Sequence, residues 1–250
     1  MKRIRISVCM ATYNGAKYIQ NQLQSIIAQL SQNDEIIISD DGSTDRTLEI
    51  VASFNDPRIK VFHHVKTNFA GGNFLHKLVS SNFENALMHA SGKYIFLSDQ
   101  DDVWPSNRVI SVIDCLSVYD LVYCNFSIID EHEQLIKKYG FTHKPINRSF
   151  VYNVYKMPFY GCCMAFRYDL LKYILPFPKK LVSHENWIGF LAIRFGKIVY
   201  LHEPLHKYRI HSSNTSYTNR ESRNSLLNKI YYRIVFIFQL SCRIIEKLIK

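Results

Sequence analysis

None of the six cysteines, Cys9, Cys115, Cys124, Cys162, Cys163 and Cys242, stands in a C-x-x-C pair, and two of them are adjacent. That spacing excludes zinc-ribbon and dithiol frameworks and leaves small buried side chains in a reducing compartment. Long apolar runs are missing as well. Lys2, Arg3 and Arg5 are basic, but the apolar stretch behind them stops at Tyr13-Asn14-Gly15, too short for a signal peptide. No later segment is long and apolar enough to read as a membrane span, so the expected location is cytoplasmic. Helix-turn-helix, zinc-finger and basic-aromatic patterns are absent, which argues against a nucleic-acid partner. There is no linker or internal repeat; the nine glycines and seven prolines are scattered.

What is present fits a globular chain. Its 250 residues, 47% apolar, are enough to bury a real core. The 14% of aromatic residues would suit either a core or the flat faces of sugars. The net charge of +10 is unevenly placed: from Arg220 to Lys250 there are seven Lys or Arg against two Asp or Glu, a net +5. This reads as a surface-seeking tail.

The first half alternates strand-like and helix-like stretches. Ile4–Met10, Glu35–Ser39, Ile59–His63 and Tyr94–Ser98 read as strands, and Lys17–Leu30, Asp45–Phe54 and Phe74–Ala90 as helices. Such repeated units imply an α/β fold, a mostly parallel sheet with helices on both faces. Ligands of such sheets bind beyond the carboxyl ends of the strands. Further on, Leu121–Asn125, Gly161–Phe166 and Lys197–Leu201 read as strands and Glu185–Phe195 as a helix. One domain over residues 1–218 is expected, followed by a helical tail over 219–250.

Three polar clusters follow strands directly. Thr12-Tyr13-Asn14-Gly15 is either a turn with Asn14 capping the next helix or a loop touching a nucleotide. In Asp40-Asp41-Gly42-Ser43-Thr44-Asp45, an Asx turn with Ser43 or Thr44 as N-cap is one reading. The other is that two adjacent carboxylates accept a donor such as the ring N–H of a base. The third cluster is Ser98-Asp99-Gln100-Asp101-Asp102. Three carboxylates within four residues are costly at a sheet edge unless a hard divalent cation, Mg²⁺ or Mn²⁺, joins them to phosphate oxygens. A calcium EF-hand lacks its later ligands here. A haloacid-type phosphatase would need its nucleophile after the first strand, where this chain has Ala-Thr-Tyr-Asn.

The motifs ISVCMATYNG, IIISDDGSTDRT, GKYIFLSDQDDVW, GCCMAFRYDLL, SHENW and GKIVYLHEPLHKYRIHSSN extend in this order from Ile6 to about Asn214. As a set the chain resembles family 2 glycosyltransferases of the GT-A fold, in the bacterial branch that builds surface polysaccharides. The resemblance implies an inverting, metal-dependent transferase. Its donor would be a nucleoside-diphosphate sugar, UDP-hexose or dTDP-rhamnose, and its acceptor a glycan or lipid-linked oligosaccharide. It further implies that Thr12, Tyr13 and Asn14 line the nucleotide pocket and that Asp40 or Asp41 accepts from the pyrimidine. Asp99 and Gln100 would lie near the ribose. Asp101 would ligate Mn²⁺ or Mg²⁺, joined by His211, with Arg209 aiding phosphate charge. Glu185 would be the catalytic base, with Trp187 and Gly161 near the acceptor. Other readings stand beside these. Glu185 also suits a first-turn acid with Ser183 as N-cap, Trp187 simple packing, and His211 a surface hydrogen bond.

In the tail, Lys229, Arg233, Arg243, Lys247 and Lys250 fall on one side of a helical wheel and the isoleucines on the other. Such a helix lies peripherally on the inner membrane face, drawn by anionic lipid, or packs on the domain or on a second subunit of a homodimer with its basic stripe solvated. Two rival classes remain. A non-catalytic nucleotide- or glycan-binding relative would have lost Asp99, Asp101 or Glu185, and a nucleotidyltransferase would need a Gly-rich basic loop where ATYNGAKY stands.

Overall fold

The computed structural model describes residues 5–65, 74–179, 181, 183–212, 214 and 226–249. Its strands are β1 (Ile6–Thr12), β2 (Glu35–Asp40), β3 (Ile59–His63), β4 (Tyr94–Ser98), β5 (Leu121–Ile129), β6 (Leu135–Lys137), β7 (Met164–Arg167) and β8 (Ile198–Arg209). Its helices are α1 (Ile19–Ile27), α2 (Thr47–Ser53), α3 (Phe74–Met88), α4 (Arg108–Leu116), α5 (Phe150–Lys156), α6 (Leu171–Ile174), α7 (His184–Phe195) and α8 (Leu226–Ile249). One mixed sheet runs β3-β2-β1-β4-β7-β5-β6, and β8 also pairs with β5. The first four strands are parallel and β7 is antiparallel between β4 and β5. Runs such as Ile36-Ile37-Ile38 and Ile95-Phe96-Leu97 are apolar throughout because helices cover the sheet, and these residues are wholly buried. The register sets Thr12 against Asp40, Asp40 against His63, and Met10 against Ser98. The three polar clusters therefore leave the sheet at one edge, as the strand-end rule demands.

The boundaries differ where non-local partners intervene. Gly161–Cys163 is a 3-10 turn, and only Met164–Arg167 is strand. The Cys162 carbonyl accepts from Arg108 Nη2 at 2.6 Å, and Cys163's accepts from the Cys124 thiol. β8 runs on to Arg209 because register shifts opposite β5, over His202 and Glu203 and again between Pro204 and Lys207, carry the ladder past the break. α4, α5, α6 and β6 add to the expected elements, while Ile4 lies outside the described residues. All six cysteines are free thiols.

The expected tail helix is α8; residues 219–225 and Lys250 lie outside the described residues. Its basic side is not the solvated stripe expected from the wheel. Arg243 sends Nη1 to the Tyr173 carbonyl at 2.7 Å and Nη2 to that of Pro176 at 2.5 Å, with its guanidinium over the Trp187 ring. Arg233 donates to the Val154 and Tyr155 carbonyls. Cations at the ends of α5 and α6 satisfy carbonyls that have no helical partner. Phe236 packs edge-on against Phe190 of α7. Among the described residues no helix is long and apolar enough to cross a membrane.

Candidate active site

The loops after β1 and β2 are stitched together by their own side chains. Asp40 accepts from Thr12 Oγ1, Ser43 Oγ, Gly42 N and Ser43 N at 2.6–3.0 Å. This is the expected Asx turn, and it engages both oxygens of Asp40, so the carboxylate builds the loop. Asp41 lies 2.8 Å from His64 Nδ1. Thr12, 1% exposed, is likewise a loop-builder. Asn14 adopts φ +48°, a left-handed conformation Asn tolerates, and its Oδ1 accepts from Thr44 N at 2.8 Å. It thus joins the second loop instead of capping α1, whose N-cap is Tyr18. Neither Ser43 nor Thr44 caps α2; Asp45 accepts from Thr47 N and Ala16 N instead. Gln100 grips Tyr13 through both backbone atoms at 3.0 Å, which fixes the β4 loop to the β1 loop. A side chain at Gly15 would overlap that same Gln100 amide. Tyr13's ring is half exposed beside this junction.

The three carboxylates after β4 divide. Asp102 is fully buried, accepts from Arg209 N at 2.8 Å and pairs with His206 Nε2 at 2.7 Å. It is satisfied by the chain and needs no cation. Asp101 reaches His211 Nε2 at 2.8 Å, and His211 rests on the Tyr18 ring at 4.5 Å. Asp99 is half-buried; burial, then Asp102, Asp101 and Glu185 in turn, push its carboxyl well above the usual range. Arg209, expected at phosphate, is 1% exposed. Its donors go to the Asp101 carbonyl, the Glu131 carbonyl and Glu133 Oε1, and it lies over Tyr18. It holds the Asp101 loop through three of its five N–H donors.

Glu185 is supplied by the first turn of α7. Ser183 caps α7 through Asn186 N, so Glu185 sits in the first turn as a polar, partly exposed residue. His184 Nδ1 lies 3.1 Å from Glu185 Oε2 and its ring stacks on Phe83. Gly161 fits against this turn: a Cβ there would lie 3.1 Å from His184 Nε2 and 3.7 Å from the Glu185 Cβ. Trp187, expected near the acceptor, is wholly buried and donates to the Ile174 carbonyl, so it packs as core.

The donor set around Asp101 suits a divalent ion. A carboxylate and an imidazole converge there, a pairing Mn²⁺ accepts more readily than Mg²⁺, and Asp99 lies in surplus negative charge that a cation would relieve. A second group, Asp102, Cys162 and His206, gathers within 4.8 Å. It is buried beside the Arg108 guanidinium, whose charge opposes a cation there. His206, the Asp102 partner, carried no local signal in the sequence: the two are 104 residues apart.

Comparison with known proteins supplies the family. The model described as glycosyl transferase family 2 matches residues 7–175. An uncharacterized glycosyltransferase of Rickettsia typhi is 27% identical over 229 residues, which is 85% of this chain and 66% of that protein. The chain thus spans just under two thirds of that relative's length. The dTDP-rhamnosyl transferase RfbG of Shigella flexneri is 41% identical over 111 residues, 43% of this chain and 36% of that protein. The UDP-Glc:alpha-D-GlcNAc-diphosphoundecaprenol beta-1,3-glucosyltransferase WfgD of Escherichia coli is 30% identical over 129 residues, 51% and 47% of the two chains. Among solved structures, S. aureus TarS 1-349 in complex with UDP-GlcNAc superposes with a TM-score of 0.63 at 21% identity, over 93% of this chain and 71% of that one. The mannosyltransferase PcManGT of Pyrobaculum calidifontis, in complex with GDP-Man and Mn2+, gives 0.60 at 18%, over 85% and 59%. At these identities the two structures establish the shared GT-A fold.

Proposed function

The chain belongs to glycosyl transferase family 2, and from that membership we propose that it is an inverting enzyme of bacterial surface-polysaccharide synthesis, working at the inner face of the cell membrane. Its donor is a nucleoside-diphosphate sugar, UDP-hexose or dTDP-rhamnose, and its acceptor a hydroxyl on a glycan or lipid-linked oligosaccharide. The names of RfbG and WfgD support this choice of donors, and WfgD's name supports a diphosphoundecaprenol-linked acceptor. Residues 1–218 form the catalytic domain and 219–250 the tail.

The observation that carries the reading is the meeting of Asp99, Asp101, His211 and Glu185 at the edge where β1, β2 and β4 end. Asp41 and Tyr13 face the nucleotide base, Asp99 the ribose, and Gly161 leaves room for the acceptor. Thr12, Asn14, Asp40 and Gln100 set the loops that place them. Asp101 and His211 would hold Mn²⁺ or Mg²⁺, whose positive charge would offset that of a diphosphate leaving group. Glu185, steadied by His184, takes the proton of the attacking hydroxyl, a poor nucleophile until then; such general-base help is worth about two to four orders of magnitude. Attack from the face opposite the diphosphate inverts the anomeric carbon.

The test is a screen of nucleotide sugars for release of nucleoside diphosphate, with and without divalent metal. Release with at least one donor, abolished by chelation and by Asp101→Ala, is expected. A non-catalytic relative would bind nucleotide yet release nothing with any donor and any metal.

A further inference from the structure

We propose that the outward faces of α5 and α8 form one surface that docks on an anionic lipid bilayer, with α8 lying in the plane of the interface. The sidedness of α8 carries the argument. Its arginines point inward and cap the carbonyl ends of α5 and α6, so its apolar side is turned away from the domain. Tyr231, Ile234, Phe238, Ile245 and Leu248 are each more than half exposed. At 100° per residue they fall within an arc of about 100°, and no charged residue lies inside it. α5 continues the patch: Val151 and Tyr155 are exposed, and Arg233 lies over the Tyr155 ring while donating to its carbonyl. Phe150, Phe190 and Phe236 pack edge-to-face in a row that locks the two helices side by side. Monomers rarely expose an apolar patch larger than a few hundred Å², so a face of this extent marks a contact.

Charge selects the occupant. Around α5, Lys144, Arg148 and Lys156 are exposed, and the sequence from Gln134 to Tyr168 holds no Asp or Glu. On α8, Arg233 and Arg243 are turned to carbonyls of the domain and Lys247 pairs with Glu246, so Lys229 is the cation that α8 adds to this rim. A second copy would bring two cationic rims together, whereas anionic headgroups neutralise them while acyl chains cover the apolar arc. Because the opposite side of α8 is fastened to the domain, the helix lies along the interface. α5 also leads through Pro158–Tyr160 to Gly161, beside Glu185. On the function proposed above, the bilayer therefore adjoins the acceptor side of the site. The docking itself does not depend on that function, and its test leaves sugar transfer out.

The experiment is flotation of the full chain with vesicles of neutral phosphatidylcholine, or with about one third phosphatidylglycerol added. The chain should float with the anionic vesicles, and the bound fraction should fall several-fold near 0.5 M salt, roughly three times the physiological level. Ile234→Glu with Phe238→Glu should lower it about ten-fold without shifting the thermal melt, since both side chains are exposed. Val151→Glu on α5 gives the same test on a second element. The proposal is overturned by a wild-type chain that stays at the bottom of the gradient, or by variants that float as well as it does. It is equally overturned by light scattering that shows a dimer split by these substitutions, without flotation.

Discussion

At the end of β2 two neighbouring carboxylates have different environments. Four donors of the chain close around Asp40, whereas Asp41 meets His64. The sequence located this pair by its place after a strand, but not the division between its members, because the Thr12 hydroxyl that binds Asp40 is 28 residues away. Arg209 shows the same limit. It read as a phosphate cation, and the sequence did not show that Asp101, Glu131 and Glu133, which stand 108, 78 and 76 residues away, hold its side chain. Asp99 and Asp101 were legible because their spacing and position are local. Glu185→Gln isolates the proposed base. Transfer should fall by about two to four orders of magnitude, while a calorimetric titration with nucleoside diphosphate gives an unchanged affinity; lost affinity would make Glu185 a binding residue instead.

Short strands rich in β-branched and aromatic residues were read to the residue: β3 and β4 have the expected bounds. β8 was read short because its bulge at His202 and Glu203 breaks the pattern, and the ladder resumes from Pro204 through pairing with β5. The opposite edge of the sheet, away from the site, is fastened by Glu35. Its carboxylate accepts from Ser7, Ser91 and Lys60 at 2.6–2.9 Å and so joins β1, β2, β3 and the turn before β4. Burial alone would raise its pKa, but these donors hold it below the ordinary value. A lowered folded pKa adds stability above the unfolded value of about 4.3, and that stability is lost as pH falls through the folded value. Glu35→Gln should therefore cost about 1–3 kcal/mol in urea unfolding at pH 7, with the gap narrowing below about pH 4. A gap that widens toward acid would contradict the sign.

For the whole molecule, the strand–helix alternation foretold the parallel strands of the sheet and the edge at which its polar loops gather, and the resemblance to family 2 supplied the GT-A fold. The arrangement of the tail was not foretold. A helical wheel shows which residues share a side but not which side meets the domain, and here Arg233 and Arg243 find carbonyl ends that the sequence does not display as targets. Removing α8 would uncover the Trp187 ring and those carbonyls, so surface substitutions test the tail more cleanly than truncation.

The central claim is that the acids behind β4, with His211, bind a divalent ion together with a diphosphate. Manganese titration followed by electron paramagnetic resonance, in the presence of UDP or dTDP, tests it most directly. The wild-type chain should bind one Mn²⁺ only when nucleotide is present, and Asp101→Asn should lose that binding while melting normally. Equal Mn²⁺ binding by wild type and Asp101→Asn, or none by either with both nucleotides, would contradict the account.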